Sequence, residues 1–131
     1  MTTAVPYLLV AAGGAIGSVS RYAFFRLFQD FEHKHIFFGV LTVNIIGSFL
    51  IGIALGFAVK EMFFERGTVS HFLFITGFLG SFTTFSTFSQ DNIKLLFLDN
   101  NILGVFLNSG VNLLGGLLTC GIGYFLIARG M

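Results

Sequence analysis

Four apolar stretches, separated only by short polar segments, take up almost the whole of this chain. Crossing a bilayer as a helix needs about 20 predominantly apolar residues. The first stretch runs from Val5 to Phe28 and ends in Gln29-Asp30-Phe31-Glu32-His33-Lys34-His35. The second runs from Ile36 to Val59 and is closed by Lys60-Glu61 and Glu65-Arg66-Gly67. The third runs from Ser70 to Leu98, and Asp99-Asn100-Asn101 turns the chain into the fourth, Ile102 to Ala128. Charged residues make up 10% of the 131 residues, against about 25% in a soluble domain. The expectation is an all-α integral membrane protein: one subunit over residues 1–131, with transmembrane helices at about 5–28, 36–59, 70–98 and 102–128.

Several classes drop out. The opening Met1-Thr2-Thr3-Ala4-Val5-Pro6 has no basic segment and no small-residue cleavage site, so the first span is expected to be retained rather than cleaved as a signal peptide. Cys120 is the sole cysteine, which excludes an intrachain disulfide. A net charge of +1 argues against a nucleic-acid partner.

The third span is unlike the others. Gly77-Phe78-Leu79-Gly80-Ser81-Phe82-Thr83-Thr84-Phe85-Ser86-Thr87-Phe88-Ser89 alternates rings with hydroxyls and opens on two glycines. Hydroxyls at this density gain nothing from lipid, and Gly77 and Gly80 weaken the helix. Non-helical backbone at membrane depth is tolerated only where it lines a cavity or is buried in protein. The third helix is therefore expected to break near mid-membrane and to form the wall of a pathway. Phe82, Phe85 and Phe88 recur every three residues and are expected near one side of the helix, with Thr84, Thr87 and Asp91 as a neighbouring stripe. An aromatic ring has a positive edge, so ring edges can partly replace water around a small anion, while hydroxyls and amides make the stronger contacts.

Orientation does not settle from charge. The side shared by the termini and the second loop carries Lys60, Arg66 and Arg129; the other carries Arg26 and Lys34, with Arg21 and Lys94 on turns leading to it. Lysine and arginine bias sets topology, and three against four is no bias. Either one orientation wins narrowly, or the chain inserts both ways and pairs as an antiparallel dimer of two inverted copies. Glycines stripe spans one (Gly13, Gly14, Gly17), two (Gly47, Gly52, Gly56) and four (Gly115, Gly116, Gly121, Gly123), as expected for close helix contact.

Among individual polar residues, Arg21 either snorkels to the headgroups or faces protein and attracts an anion. Asn44 is a lone amide in an apolar span, costly unless hydrogen-bonded, and so points at protein or pathway. Asn108 and Asn112 offer a second amide face, with Ser109 alongside. Enzymatic readings find no support: His33, His35 and His71 lie in loops or at a span end, and no intramembrane Ser/His or metal cluster can be drawn. Asp91, with Lys94, forms at most an i,i+3 ion pair past the middle of span three.

Three motifs together resemble the Fluc (CrcB-type) fluoride channels. These are Gly13-Gly14-x-x-Gly17-x-x-x-Arg21-Tyr22 in span one, Asn44 followed by Gly47 after Gly39 in span two, and the Gly77–Ser89 stretch, the most specific of them. The resemblance covers all four spans. It implies a dual-topology antiparallel homodimer in a bacterial plasma membrane, conducting fluoride passively. It also implies a structural sodium ion at the dimer centre, held by backbone carbonyls at the break; the matching positions are Gly80 and Thr83. Phe85 and Phe88 match the rings lining the fluoride path, with Thr84 and Thr87 beside them. Asn44 matches the pore amide, Arg21 the vestibule arginine, and Asn112 is the nearest counterpart of the polar positions on span four.

Some positions depart from that pattern. Ser81 replaces the second glycine of a usual pair, Val40 stands where threonine is common, Asp91 where glutamate is usual and Gly116 where serine is common. They bear on the entrance of the path and leave a heterodimer open. Two rival functions are a small dual-topology multidrug exporter, which depends on a membrane-embedded glutamate in span one that this span lacks, and a non-transporting structural subunit.

Overall fold

The computed structural model describes residues 3–31 and 35–130. Glu32, His33 and Lys34, assigned from sequence to the first loop, lie outside the described residues. Among the described residues, four helices are long and apolar enough to cross a membrane: Ala4–Phe31, Phe38–Val59, His71–Phe97 and Ile102–Gly130.

Helix α1 (Ala4–Phe28) continues into a single 3-10 turn, Gln29–Phe31. Pro6 falls in its first turn, where the missing N–H has no helical partner to lose. Helix α2 (Phe38–Val59) contains no charged residue. The third span is composite: a π-helical segment His71–Leu79, then a short α3 (Gly80–Phe82), then α4 (Phe85–Phe97). Helix α5 (Ile102–Gly130) forms the fourth span. Its start is set by Asn101, whose Oδ1 accepts the Gly104 N–H at 2.9 Å, the side-chain capping that favours Asn before a helix.

Lipid supplies no hydrophobic drive for helix association, so close backbone approach must do it. α2 packs chiefly along α5, and α1 along the π-helical segment. At the first contact, a Cβ on Gly52 would collide with the Cys120 carbonyl, and one on Gly123 with the Phe49 carbonyl. At the second, Gly13 and Gly17 lie against the carbonyls of Leu73 and Phe78. Gly121, expected at a helix contact, has no neighbour within 4 Å of where its Cβ would be.

The third span departs from the sequence expectation in one instructive way. Gly77 and Gly80 are both helical, and helical hydrogen bonding lapses instead at Thr83 (φ −76°, ψ 158°) and Thr84 (φ −149°, ψ 113°). Gly77 is needed for packing, because its Cβ would meet the Val10 carbonyl at 2.9 Å and Gly13 Cα at 3.0 Å on α1. The extended pair is held from outside by side chains, as described below. The interruption also redirects the rings. Phe82 is buried in a stack of Phe74, Phe78 and Phe82 with centroids 5.5 Å apart, and meets Phe24 edge-on at 5.5 Å. Phe85 and Phe88 lie beyond the lapse and pair with each other at 5.5 Å. The three rings expected on one side are thus divided between α1 and a cavity.

Candidate functional site

Thr84, the second of the two extended residues, is secured by Asn44 of α2. A backbone N–H can only donate and a C=O only accept, so Asn44 has one possible orientation. Its Oδ1 accepts from Thr84 N–H at 2.9 Å, and its Nδ2 donates to Thr84 C=O at 3.2 Å. The second Nδ2 proton goes to Oδ1 of Asn112 on α5 at 3.1 Å. Asn44 therefore clamps the peptide of Thr84 as a neighbouring strand would, with both amide protons on protein oxygens.

Thr84 then caps α4. Its Oγ1 accepts the Thr87 N–H at 3.2 Å and donates to Thr87 Oγ1 at 3.0 Å. Two carbonyls lose their helical donors in consequence. Thr84 N–H, due to close on Gly80 C=O, is on Asn44, and Thr87 N–H, due to close on Thr83 C=O, is on Thr84. Arg21, half-buried, turns its Nη1 to protein and donates to Thr83 C=O at 3.3 Å.

A cavity of about 470 Å³ opens beside this construction. It gathers Asn44 from α2, Gly80, Thr83, Thr84, Phe85 and Phe88 from the third span, and Asn112 from α5. Phe85 is 73% exposed and Phe88 only 8%, so one ring stands at the open edge and the other closes the inner end. Gly116 also lines it, with Ser48 Oγ 3.2 Å from where a Cβ would lie.

Thr87 does not line that cavity. It faces a second one of about 290 Å³ towards the other end of α4, with Val40, Asp91, Lys94 and Arg26. Asp91 is buried and its Oδ1 lies 3.8 Å from Lys94 Nζ, the i,i+3 ion pair anticipated from spacing. The Thr84–Thr87 hydroxyl pair links the two cavities, Thr84 lining the first and Thr87 the second. Of the positions the resemblance assigns to the fluoride path or the sodium site, Arg21 alone borders neither cavity, and it reaches the site through Thr83.

Sequence reasoning missed Asn92. Its Nδ2 donates to Phe88 C=O at 3.1 Å and its Oδ1 receives Asn108 Nδ2 at 3.2 Å. The available signal was a further amide one helical turn after Phe88.

These features define a class: a small four-span membrane protein with a largely apolar cleft between its helices, into which a few hydroxyls, amides and two phenyl rings are set. Residues 8–124 match the family described as "CrcB-like protein, Camphor Resistance (CrcB)", and the chain belongs to that family. A relative from Helicobacter pylori (strain Shi470), named "Fluoride-specific ion channel FluC", is 40% identical over 127 residues, covering 92% of this chain and 91% of its own. A relative of the same name from Alteromonas mediterranea is 41% identical over 115 residues, covering 84% and 87%. One from Francisella philomiragia, again so named, is 43% identical over 91 residues, covering 68% and 69%.

Proposed function

We propose that this chain is the subunit of a fluoride-selective channel that passively releases fluoride from the bacterial cytoplasm across the plasma membrane and so relieves its toxicity. The observation that carries the reading is the convergence of Asn44, Thr84, Phe85, Phe88 and Asn112, from three spans, on one cavity in a member of the CrcB family. A small anion leaving water needs compact donors around it. Ring edges supply positive potential without the bulk of a cation, whereas the Thr83 and Thr84 hydroxyls donate to Leu79 C=O and Thr87 Oγ1 and would have to turn to reach the ion. Fluoride re-forms from HF inside the cell, so passive leak out of a negative interior is sufficient and needs no proton-coupling carboxylate.

In this proposal two copies pair antiparallel, with the lapse at Thr83 and Thr84 near mid-membrane. The nearly balanced basic residues at the two ends support insertion in both orientations. The cavity wall is also incomplete within one chain, Phe85 being 73% exposed. Tags at the C-terminus should be labelled from both faces of the membrane in comparable amounts. Labelling from one face alone would sink the homodimer and point to a heterodimer.

A structural sodium ion at the dimer centre belongs to the same proposal. The proposed donors are the carbonyl oxygens of Gly80 and Thr83, each deprived of its helical donor; carbonyl dipoles can replace an ion's hydration shell, and the Arg21 Nη1 contact to Thr83 C=O at 3.3 Å would have to yield to the ion. One chain offers two such oxygens, and a two-fold axis would make four. The ion would serve as structural ligand, not as cargo.

The deciding experiment is a fluoride-electrode measurement on liposomes holding only this chain. Fluoride efflux without chloride efflux or proton coupling supports the channel over an exporter or a structural subunit. In Na⁺-free buffer after prolonged dialysis the flux should disappear while the protein stays folded. Unchanged flux there would remove the sodium ion from the proposal but leave the channel.

A further inference from the structure

The clamp on Thr84 is one end of a longer polar chain. Asn112, having given its Oδ1 to Asn44, directs its Nδ2 to the Asn108 carbonyl at 3.0 Å and to Asn108 Oδ1 at 3.4 Å. Asn108, fully buried, passes its Nδ2 to Asn92 Oδ1 at 3.2 Å. Ser109 Oγ also donates to Asn92 Oδ1, at 3.4 Å. Asn92 finally donates to Phe88 C=O at 3.1 Å. Backbone groups fix the polarity at both ends: Thr84 N–H and C=O dictate the orientation of Asn44, and Phe88 C=O dictates that of Asn92. Every amide between them therefore points the same way, and turning one over would set like atoms against each other.

We propose that Asn92 and Asn108 are positioning residues of the anion path, acting through this one-directional amide chain. The inference rests on the fluoride-channel reading above. The chain leaves the third span at Thr84, crosses α2 and α5, and returns to α4 at Asn92. It thereby brackets the single turn that carries Phe85 and Phe88. Aligned hydrogen bonds in a low-dielectric interior polarise one another, so the chain acts as a unit. Cutting any link frees one end of that turn. Neither Asn92 nor Asn108 lines the cavity around Asn44, so their effect on the ion is exerted through the residues they hold.

Leucine is close to asparagine in size but neither donates nor accepts, so Asn108→Leu and Asn92→Leu each cut one link. The readout is fluoride and chloride efflux from liposomes holding wild type, each single variant and the double variant, after each is shown to elute as wild type does. Each single change should slow fluoride efflux about tenfold, the factor an ordinary buried hydrogen bond supplies, and lower the fluoride-to-chloride ratio. The double variant should lose no more than either single one, because a chain already cut cannot be cut again. Wild-type rate and selectivity in Asn108→Leu would overturn the inference, as would losses that multiply in the double variant. Absence of fluoride efflux from the wild type would instead sink the channel reading. Should the variants fail to assemble, side-chain amide exchange in the unaltered protein decides. Slow exchange of the Asn108 and Asn112 NH₂ groups is expected, and fast exchange overturns the chain.

Discussion

Phe88→Ile is expected to assemble and fold as the unaltered protein does, yet to lose about a hundredfold in fluoride flux, near 2.7 kcal/mol on the barrier at 1.36 kcal/mol per decade. Phe88 closes the inner end of the larger cavity, 5.5 Å from Phe85 and tilted 48° to it. Isoleucine fills most of the same space but has no quadrupole, so the substitution separates packing from anion contact. Its structural cost, about 1–2 kcal/mol for a change of shape in a packed site, is small beside a typical folding stability of about 5–15 kcal/mol. Efflux from liposomes, read against elution volume and thermal melting, tests it. A less stable variant that conducts fully would mean that Phe88 only packs.

Asn44→Asp should be at least as severe, again about a hundredfold or more on the same scale. From sequence, Asn44 is expected to orient a ring or the anion through its amide protons. In the structure both protons are taken, one by Thr84 C=O and one by Asn112 Oδ1. A carboxylate has no proton for either and sets oxygen against oxygen at both contacts. Leaving a buried acceptor unpaired costs about 1–3 kcal/mol, and the added negative charge faces an anion path. The loss thus comes through the Thr84 peptide and through electrostatic repulsion together. The same efflux assay decides, and near-normal flux would reduce Asn44 to a contact between helices.

The amide chain explains how so polar a strip is tolerated between apolar helices. Thr84, Asn108, Asn112 and Asp91 are buried, and each of the three neutral ones is bonded to another helix or to its own cap. Glycine contacts bring α2 against α5 closely enough for the side chains of Asn44 and Asn112 to meet. The site and the helix packing therefore depend on one another, and a bulky residue at Gly52 would disturb both.

What this chain's sequence determines alone is whatever a local property settles. An apolar run long enough for a bilayer is local, so the four helices were legible. A lone amide in such a run must find a partner, so Asn44 could be marked as facing protein or pathway, and the four-residue spacing of Asn108 and Asn112 marked a second amide face. The (i, i+3) spacing of Asp91 and Lys94 was likewise enough to foresee their ion pair. Tertiary structure decided what depends on a partner from another helix. Glycine propensity pointed to a weak point at Gly77 and Gly80, but α1 packs against Gly77 and both remain helical. The helix lapses at Thr83 and Thr84, because Asn44, 40 residues away in sequence, takes the amide that would have continued it. That lapse also sends Phe82 to α1 and Phe85 with Phe88 to the cavity, a division that three-residue spacing could not reveal. Asn92 went unnoticed for the same reason: an amide on a helix becomes a link only when Asn108 is brought opposite it.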